Sequence, residues 1–372
     1  MRWTILTGEL PPRCGGVGDY TAQLAAALAA AGDDVVVCVP GAIGVADPIP
    51  RVELVVLPDR FGRHSRAVLD RIQQKRRAKL LVQYVPNAFG ARGSNLSFCR
   101  WLGHRRETGD AVAVMFHEPY FYFGWRAPHR NALAVVQRAM AALLLRAAGE
   151  VYVSTSAWNR YLTPFAPRSA PSPITAPIPS TIPVQAQLAT RNEARLVGHF
   201  GSYGLHIAPL LRDTLVRLLE SDQGTSVLCM GHGSEEFARD LSSGREPSGR
   251  VRSTGYASHA DIASAIAACD LMIQPYPDGV TTRRTTVMAA LANARPVLTT
   301  TGALTETVWH STRAAALEPV DAAALAGRAG ALLRNPLRLA ELAARGEAAY
   351  RAHFALEHTI ERLRRSREDA AA

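Results

Sequence analysis

Trp3-Thr4-Ile5-Leu6-Thr7, followed by Pro11-Pro12-Arg13-Cys14-Gly15-Gly16-Val17-Gly18-Asp19-Tyr20, reads as a short apolar strand, a glycine-rich turn and the start of a helix. Tyr20, Leu24 and Leu28 recur at helical spacing, Asp19 stands where an N-cap belongs, and Gly32 marks the helix end before the next apolar run at 35–39. Further runs at 52–57, 80–84, 111–116 and 151–153 repeat the alternation of strand and helix. Strands that are apolar throughout, separated by helices, predict a parallel sheet covered on both faces.

Outward from that unit the chain divides. Pro164, Pro167, Pro171, Pro173, Pro177, Pro179 and Pro183 crowd one segment, which predicts an extended connector with no packed element of its own. The pattern then restarts, with strands expected at 195–200, 225–230, 251–254, 271–274 and 297–300 and helices from about 321 to 367. The reading is α/β: two doubly wound, Rossmann-like domains. One spans 1–165, a proline-rich linker spans 166–190, and the second domain spans 191–350. The final 351–372 form a helix that can cross back to the first domain. Ligands of such sheets bind beyond the carboxyl ends of the strands, so a cleft between the two domains is expected.

Composition narrows the function. The 372 residues carry a formal charge of +10, yet almost every basic residue is arginine, with lysine only at 75 and 79. No basic motif interleaved with aromatics appears, which argues against a nucleic-acid partner. One dense group, Arg60, Arg63, Arg66, Arg71, Lys75, Arg76, Arg77 and Lys79, reads most simply as a solvated helix face. Its functional reading is contact with anionic lipid or a phosphorylated acceptor. The five cysteines, Cys14, Cys38, Cys99, Cys229 and Cys269, lack metal spacing and suggest reduced, mostly buried thiols. With no signal-type or membrane-spanning run, a cytoplasmic protein is expected, with the inner membrane face as a site of peripheral contact.

The turn formed by Gly15, Gly16 and Gly18, with Asp19, brings backbone close to a ligand at a helix start, where unpaired N–H groups favour an oxyanion or a sugar hydroxyl. It is not G-x-G-x-x-G, and no acidic residue ends the second strand, which weakens a nicotinamide-dependent reading. His117 and Glu118 follow a buried strand at the sheet's carboxyl edge. An imidazole there can hydrogen-bond a substrate or relay a proton. His199, His206 and His232 occupy matching places in the second half, without metal-ligand spacing.

These motifs resemble, in order, those of bacterial family 4 glycosyltransferases of the GT-B fold. Gly15 to Tyr20 looks like the amino-terminal signature, residues 112–118 like the strand carrying a cleft histidine, and Val153-Ser-Thr-Ser-Ala-Trp158 like the close of the first domain. His199-Phe-Gly-Ser-Tyr-Gly204, Met230-Gly-His-Gly233, Thr254-Gly-Tyr256, Arg295-Pro-Val-Leu298 and Gly302-Ala-Leu-Thr-Glu306 continue the order. The resemblance implies a nucleotide-sugar donor, no further cofactor or metal, retention of configuration, and His117 and Glu118 as catalytic residues. It implies donor contacts at Gly201, Ser202, Tyr203, Gly231, His232, Tyr256 and Glu306, and an acceptor or phosphate loop at Gly15, Gly16, Gly18 and Asp19.

The chain departs from that family twice. The paired glutamates before the Pro-Val strand are replaced by Thr281 and Ala289, and the arginine and lysine that grip the diphosphate are missing after Gly201. In their neighbourhood stands Asp278-Gly279-Val280-Thr281-Thr282-Arg283-Arg284-Thr285-Thr286. Two guanidinium groups and hydroxyls at a helix start can bind phosphates, and Asp278 can accept from sugar or ribose hydroxyls. A capped helix with exposed arginines is the plain alternative. The expected activity is transfer of a sugar to a glycan, a lipid carrier or a small molecule. A nucleotide-sugar epimerase or a non-catalytic binding subunit of the same fold stay open.

Overall fold

The computed structural model describes residues 1–12, 15–41, 48–90, 92–124, 128–185, 195–243 and 249–365. Cys14, the last part of the proline-rich segment (186–190) and the chain after 365 lie outside the described residues. The chain divides into two compact units, Met1–Pro177 with Leu356–Ala372, and Ile178–Ala355.

The first unit runs β1 (Arg2–Leu6), α1 (Gly16–Ala30), β2 (Asp34–Pro40), β3 (Val52–Leu57), α2 (Arg63–Arg76), β4 (Lys79–Tyr84), α3 (Leu96–Glu107), β5 (Val112–Phe116), α4 (Pro128–Ala147), β6 (Glu150–Val153), α5 (Asn159–Leu162) and β7 (Ile174–Thr175). Its seven strands are all parallel, in the order β3-β2-β1-β4-β5-β6-β7. Every residue of β4 and β5 is buried, as central strands of a doubly covered sheet must be, while β3 at the edge has one buried residue and the rest half-buried or exposed.

The second unit runs β8 (Arg195–Phe200), α6 (Ala208–Ser221), β9 (Thr225–Met230), α7 (Ser234–Ser242), β10 (Val251–Ser253), α8 (His259–Ala268), β11 (Leu271–Gln274), α9 (Thr285–Ala292), β12 (Val297–Thr300), α10 (Thr307–Thr312), β13 (Ala316–Glu318), α11 (Ala322–Leu333) and α12 (Pro336–Ala349). Six parallel strands lie in the order β10-β9-β8-β11-β12-β13. Neighbouring residues of one strand serve opposite faces: Met272 packs in one apolar cluster with Val287 and Trp309, and Ile273 in another with Leu215 and Leu325.

Three local expectations need correction. The helix after the glycine turn begins at Gly16 with Gly15 as its N-cap, so Asp19 sits inside the first turn. The proline-rich segment is packed rather than a free connector: Ile174 and Thr175 pair with β6, and Ala176, Ile178 and Ile182 are buried. Proline lacks only its own N–H, and the intervening amides are used, Ile178 donating to the Thr282 carbonyl (3.0 Å) and Ser180 to the Tyr350 hydroxyl (3.1 Å). Strand β13 was not anticipated.

The last helix, α13 (Leu356–Arg364), belongs to the first unit. The Leu363 carbonyl accepts from Lys79 Nζ (3.3 Å), and Arg364 approaches Asp33 (3.5 Å). Asp33, whose side chain is fully buried, also takes the Met1 ammonium at 2.5 Å and the Trp3 indole N–H at 3.0 Å. A buried carboxylate is tolerated because donors surround it. Cys38, Cys99, Cys229 and Cys269 are buried. No helix among the described residues is long and apolar enough to cross a membrane.

Candidate functional site

At the carboxyl ends of β8 and β11 the second unit holds a pocket of about 160 Å³. His199, Phe200, Gly201 and Ser202 line it from β8 and the turn after it. Gln274 and Tyr276 enter from the end of β11, and Arg283, Arg284, Thr285 and Thr286 from the start of α9. Helix α9 opens with Arg284 as N-cap and no side-chain cap. The first amides of a helix have no partner within it and point outward with the positive end of the dipole.

The two arginines are held, not loose. Nη2 of Arg284 donates to both oxygens of Asp278, at 2.7 and 3.0 Å, and its guanidinium lies 4.2 Å from the Tyr276 ring centroid. Arg283 is 3.7 Å from the same carboxylate. Arg284 Nε is buried and has no hydrogen-bond partner. Asp278 therefore acts on the arginine, orienting its guanidinium, while its own side chain stays 37% exposed. Two cations against one carboxylate leave the pocket net positive. Tyr276 is buried, its hydroxyl paired with Thr286 Oγ1 at 2.7 Å, and burial raises its pKa.

His199 is 1% exposed. Its Nδ1 lies 2.8 Å from the Ile273 carbonyl, which can only accept, so Nδ1 carries the proton. Burial lowers its pKa to about 4, and the ring is neutral at ordinary pH. Nε2 is then a buried acceptor, and it has no partner.

Other expected donor residues stand elsewhere. Tyr203 turns inward: its hydroxyl donates to the carbonyls of His199 and Met230, each at 3.2 Å, and its ring packs edge-on to His199 and against Phe237. His206 and His232 are exposed, and Tyr256 is 74% exposed, all outside the pocket lining. Glu306 is 6% exposed and clamps the loop before the arginines, accepting from the Thr282 amide (2.6 Å) and hydroxyl (2.8 Å). Gly279 serves packing. It has φ +91°, and a Cβ there would lie 2.2 Å from Thr305 Oγ1. Gly231 lies against Gly201, whose carbonyl would be 2.8 Å from an added Cβ. The sequence reading missed Gln274 and Tyr276; one ends the apolar strand β11 and the other follows it, and no spacing marked them.

In the first unit the corresponding edge is occupied by the protein itself. The Gly18 amide donates to the Glu9 carboxylate (3.2 Å), and a side chain at Gly15 would run into that carboxylate. A carboxylate of the chain itself, Glu9, which the motif reading did not single out, thus stands at the start of α1. Gly16 is exposed and Asp19 half-buried. His117 is 6% exposed, with Nε2 at 2.7 Å from Gln83 Oε1, its carbonyl accepting from the Trp158 indole (2.9 Å), and its ring edge-on to Tyr20. Glu118 is half-buried.

The basic group around α2 is not one uniform face. Arg60, Arg63, Arg71, Lys75 and Arg77 are exposed. Lys79 is buried against Glu150 at 2.7 Å, Arg76 pairs with Asp34 at 2.6 Å, and Arg66 donates to the Ser97 carbonyl. No group of three or more His, Cys, Asp or Glu among the described residues could hold a metal ion.

Residues 196–335 match the family model described as Glycosyl transferases group 1. No curated protein matches the sequence. Among solved structures, the chain is similar to sucrose-phosphate synthase from Thermosynechococcus elongatus, with TM-score 0.73 and 17% identity over 98% of this chain and 97% of that one. It is similar to Anabaena HepE in complex with UDP and glucose, with TM-score 0.68 and 14% identity over 98% of each chain. WaaG, a glycosyltransferase involved in lipopolysaccharide biosynthesis, matches with TM-score 0.66 and 15% identity over 97% of this chain and 98% of that one. Residues 196–335, inside the second unit, thus carry the Glycosyl transferases group 1 family match, on a chain with the fold of GT-B glycosyltransferases.

Proposed function

We propose that the protein transfers a sugar, with retention of anomeric configuration, from a nucleotide-sugar donor to a glycan, lipid-carrier or small-molecule acceptor. The observation that carries this reading is the net-positive pocket of Arg283 and Arg284 at the start of α9. Leaving of a nucleoside diphosphate builds negative charge on its phosphate oxygens. A guanidinium already oriented by Asp278 and Tyr276 meets that charge without reorganising, which is how fixed donors lower a barrier. The amides of Thr285 and Thr286 add neutral donors at the same edge. The UDP and glucose bound to Anabaena HepE support a donor of this class. The acceptor side is assigned to the β1 and β5 strand ends of the first unit, near Glu9 and His117. With Glu9 at the helix start, hydroxyls suit that edge better than a phosphate.

A panel of nucleotide sugars in a thermal-unfolding assay tests the proposal. A donor present at a hundredfold its Kd should stabilise the fold by about 2.7 kcal/mol. If no sugar nucleotide or free nucleotide stabilises the protein at millimolar concentration, the reading fails.

A further inference from the structure

Resting on the donor reading above, we infer that His199 is a specificity-determining residue. Its Nε2 accepts a hydrogen bond from a hydroxyl of the ring esterified to the phosphate that Arg283 and Arg284 hold.

The geometry leaves that atom one use. Nδ1 is committed to the Ile273 carbonyl, and the ring is braced edge-on by Tyr203. Nε2 is buried without a partner, and a buried polar atom left unpaired is costly unless something completes it. It opens toward the ligand space at Gly201. A Cβ built on Gly201 would lie 3.6 Å from His199 Nε2 and 3.5 Å from the Thr286 methyl, so the missing side chain keeps room between β8 and α9.

An acceptor is chemically selective beside two guanidinium groups. The diphosphate of a sugar nucleotide, esterified at both ends, has oxygens for the arginines and no proton to give Nε2, whereas ribose and hexose rings carry hydroxyls a few bonds from their phosphates. The volume of about 160 Å³ suits phosphate and hydroxyl, with the remainder of a donor extending beyond it. A protonated ring would donate instead of accept, and the low pKa imposed by burial keeps the lone pair available.

Calorimetric titration of wild type, His199→Phe and His199→Gln with inorganic pyrophosphate, UDP, UDP-glucose and GDP-mannose tests this. The expected result in His199→Phe is a Kd raised about tenfold for the sugar nucleotides that wild type binds, or about 1.4 kcal/mol. Pyrophosphate affinity should stay within about twofold, and His199→Gln, which retains an acceptor, should recover part of the loss. An equal loss with UDP and the sugar nucleotides assigns the ribose hydroxyl, and loss only with the sugar nucleotides assigns the sugar. Unchanged sugar-nucleotide affinity, or an equal loss with pyrophosphate, overturns the inference while leaving the donor reading in place. Wild type binding none of the four overturns both. Should the variants fail to fold, imidazole 15N NMR of wild type decides. The His199 Nε2 resonance should move on adding a sugar nucleotide that binds and not on adding pyrophosphate, and no movement with either overturns the inference.

Discussion

The two sheets present the same device at their carboxyl edges, a glycine turn between strand and helix beside a buried histidine, and they treat it in opposite ways. In the first unit the turn before α1 is filled by Glu9, whose carboxylate takes the Gly18 amide, and His117 Nε2 meets Gln83. In the second unit His199 Nε2 and Arg284 Nε are buried with no partner. At one edge the histidine and a helix-start amide are paired within the chain, and at the other the histidine and the arginine are oriented and left to be completed. A glycine turn is therefore not in itself an anion site; what decides is whether a carboxylate of the same chain reaches it.

The comparison breaks most visibly at the arginines. Arg284→Ala should lower donor turnover by about a hundred- to a thousandfold, the cost of removing one oriented donor at a developing charge. The fold should persist, checked by circular dichroism beside steady-state kinetics. Turnover equal to wild type would remove the second edge from the chemistry.

Acid tests the unsatisfied histidine. An exposed imidazole titrates near 6.5, and His199 in the folded chain titrates at about 4. The unfolded chain takes the proton first, so the associated stability is complete above about pH 6.5 and is lost as pH falls through 4. The loss amounts to roughly 3 kcal/mol. Burial is the cause of the shift, opposed by the hydrogen bond to the Ile273 carbonyl; Tyr203 faces the ring from its own turn, and Arg283 and Arg284 line the same pocket. Urea unfolding at pH 7 and pH 4 should show a smaller acid-induced loss in His199→Phe than in wild type. The same loss in both would place the acid sensitivity elsewhere.

The smallest expected effect concerns the filled edge. Glu9→Ala should destabilise the first unit by about 1.5–3 kcal/mol, the worth of a hydrogen bond to a charged group. It should also make stability respond to added phosphate, which wild type should show less at this edge. A neutral substitution with no phosphate response would mean that Glu9 does not hold the start of α1.

Much of the site was legible because its backbone signals are local. The β8 turn with Gly201 and Ser202, and the Arg283 to Thr286 segment opening α9, lie in the pocket lining, as their place after apolar strands suggested. What misled was treating each conspicuous residue as facing a ligand. Glu306, Tyr203 and Gly279 occupy motif positions, but they hold the loop, brace His199 and allow two turns to touch. Asp278 is at the site, but its contact is with Arg284. Gln274 and Tyr276 could not be found in advance, because their role depends on which strands lie side by side.

The amino-acid sequence by itself determined the architecture. Apolar runs of strand length separated by helical periods leave little choice but parallel sheets covered on both faces, and glycine, proline and cap residues mark their boundaries through short-range sterics. Only the tertiary structure decided which polar atoms are already paired. Glu9 reaches Gly18 across nine positions, His117 reaches Gln83 across thirty-four, and His199 reaches Ile273 across seventy-four. Hydrogen-bond partnership at such separations is set by the packing of strands and helices, not by spacing along the chain, and it is this partnership that closes one edge and leaves the other open.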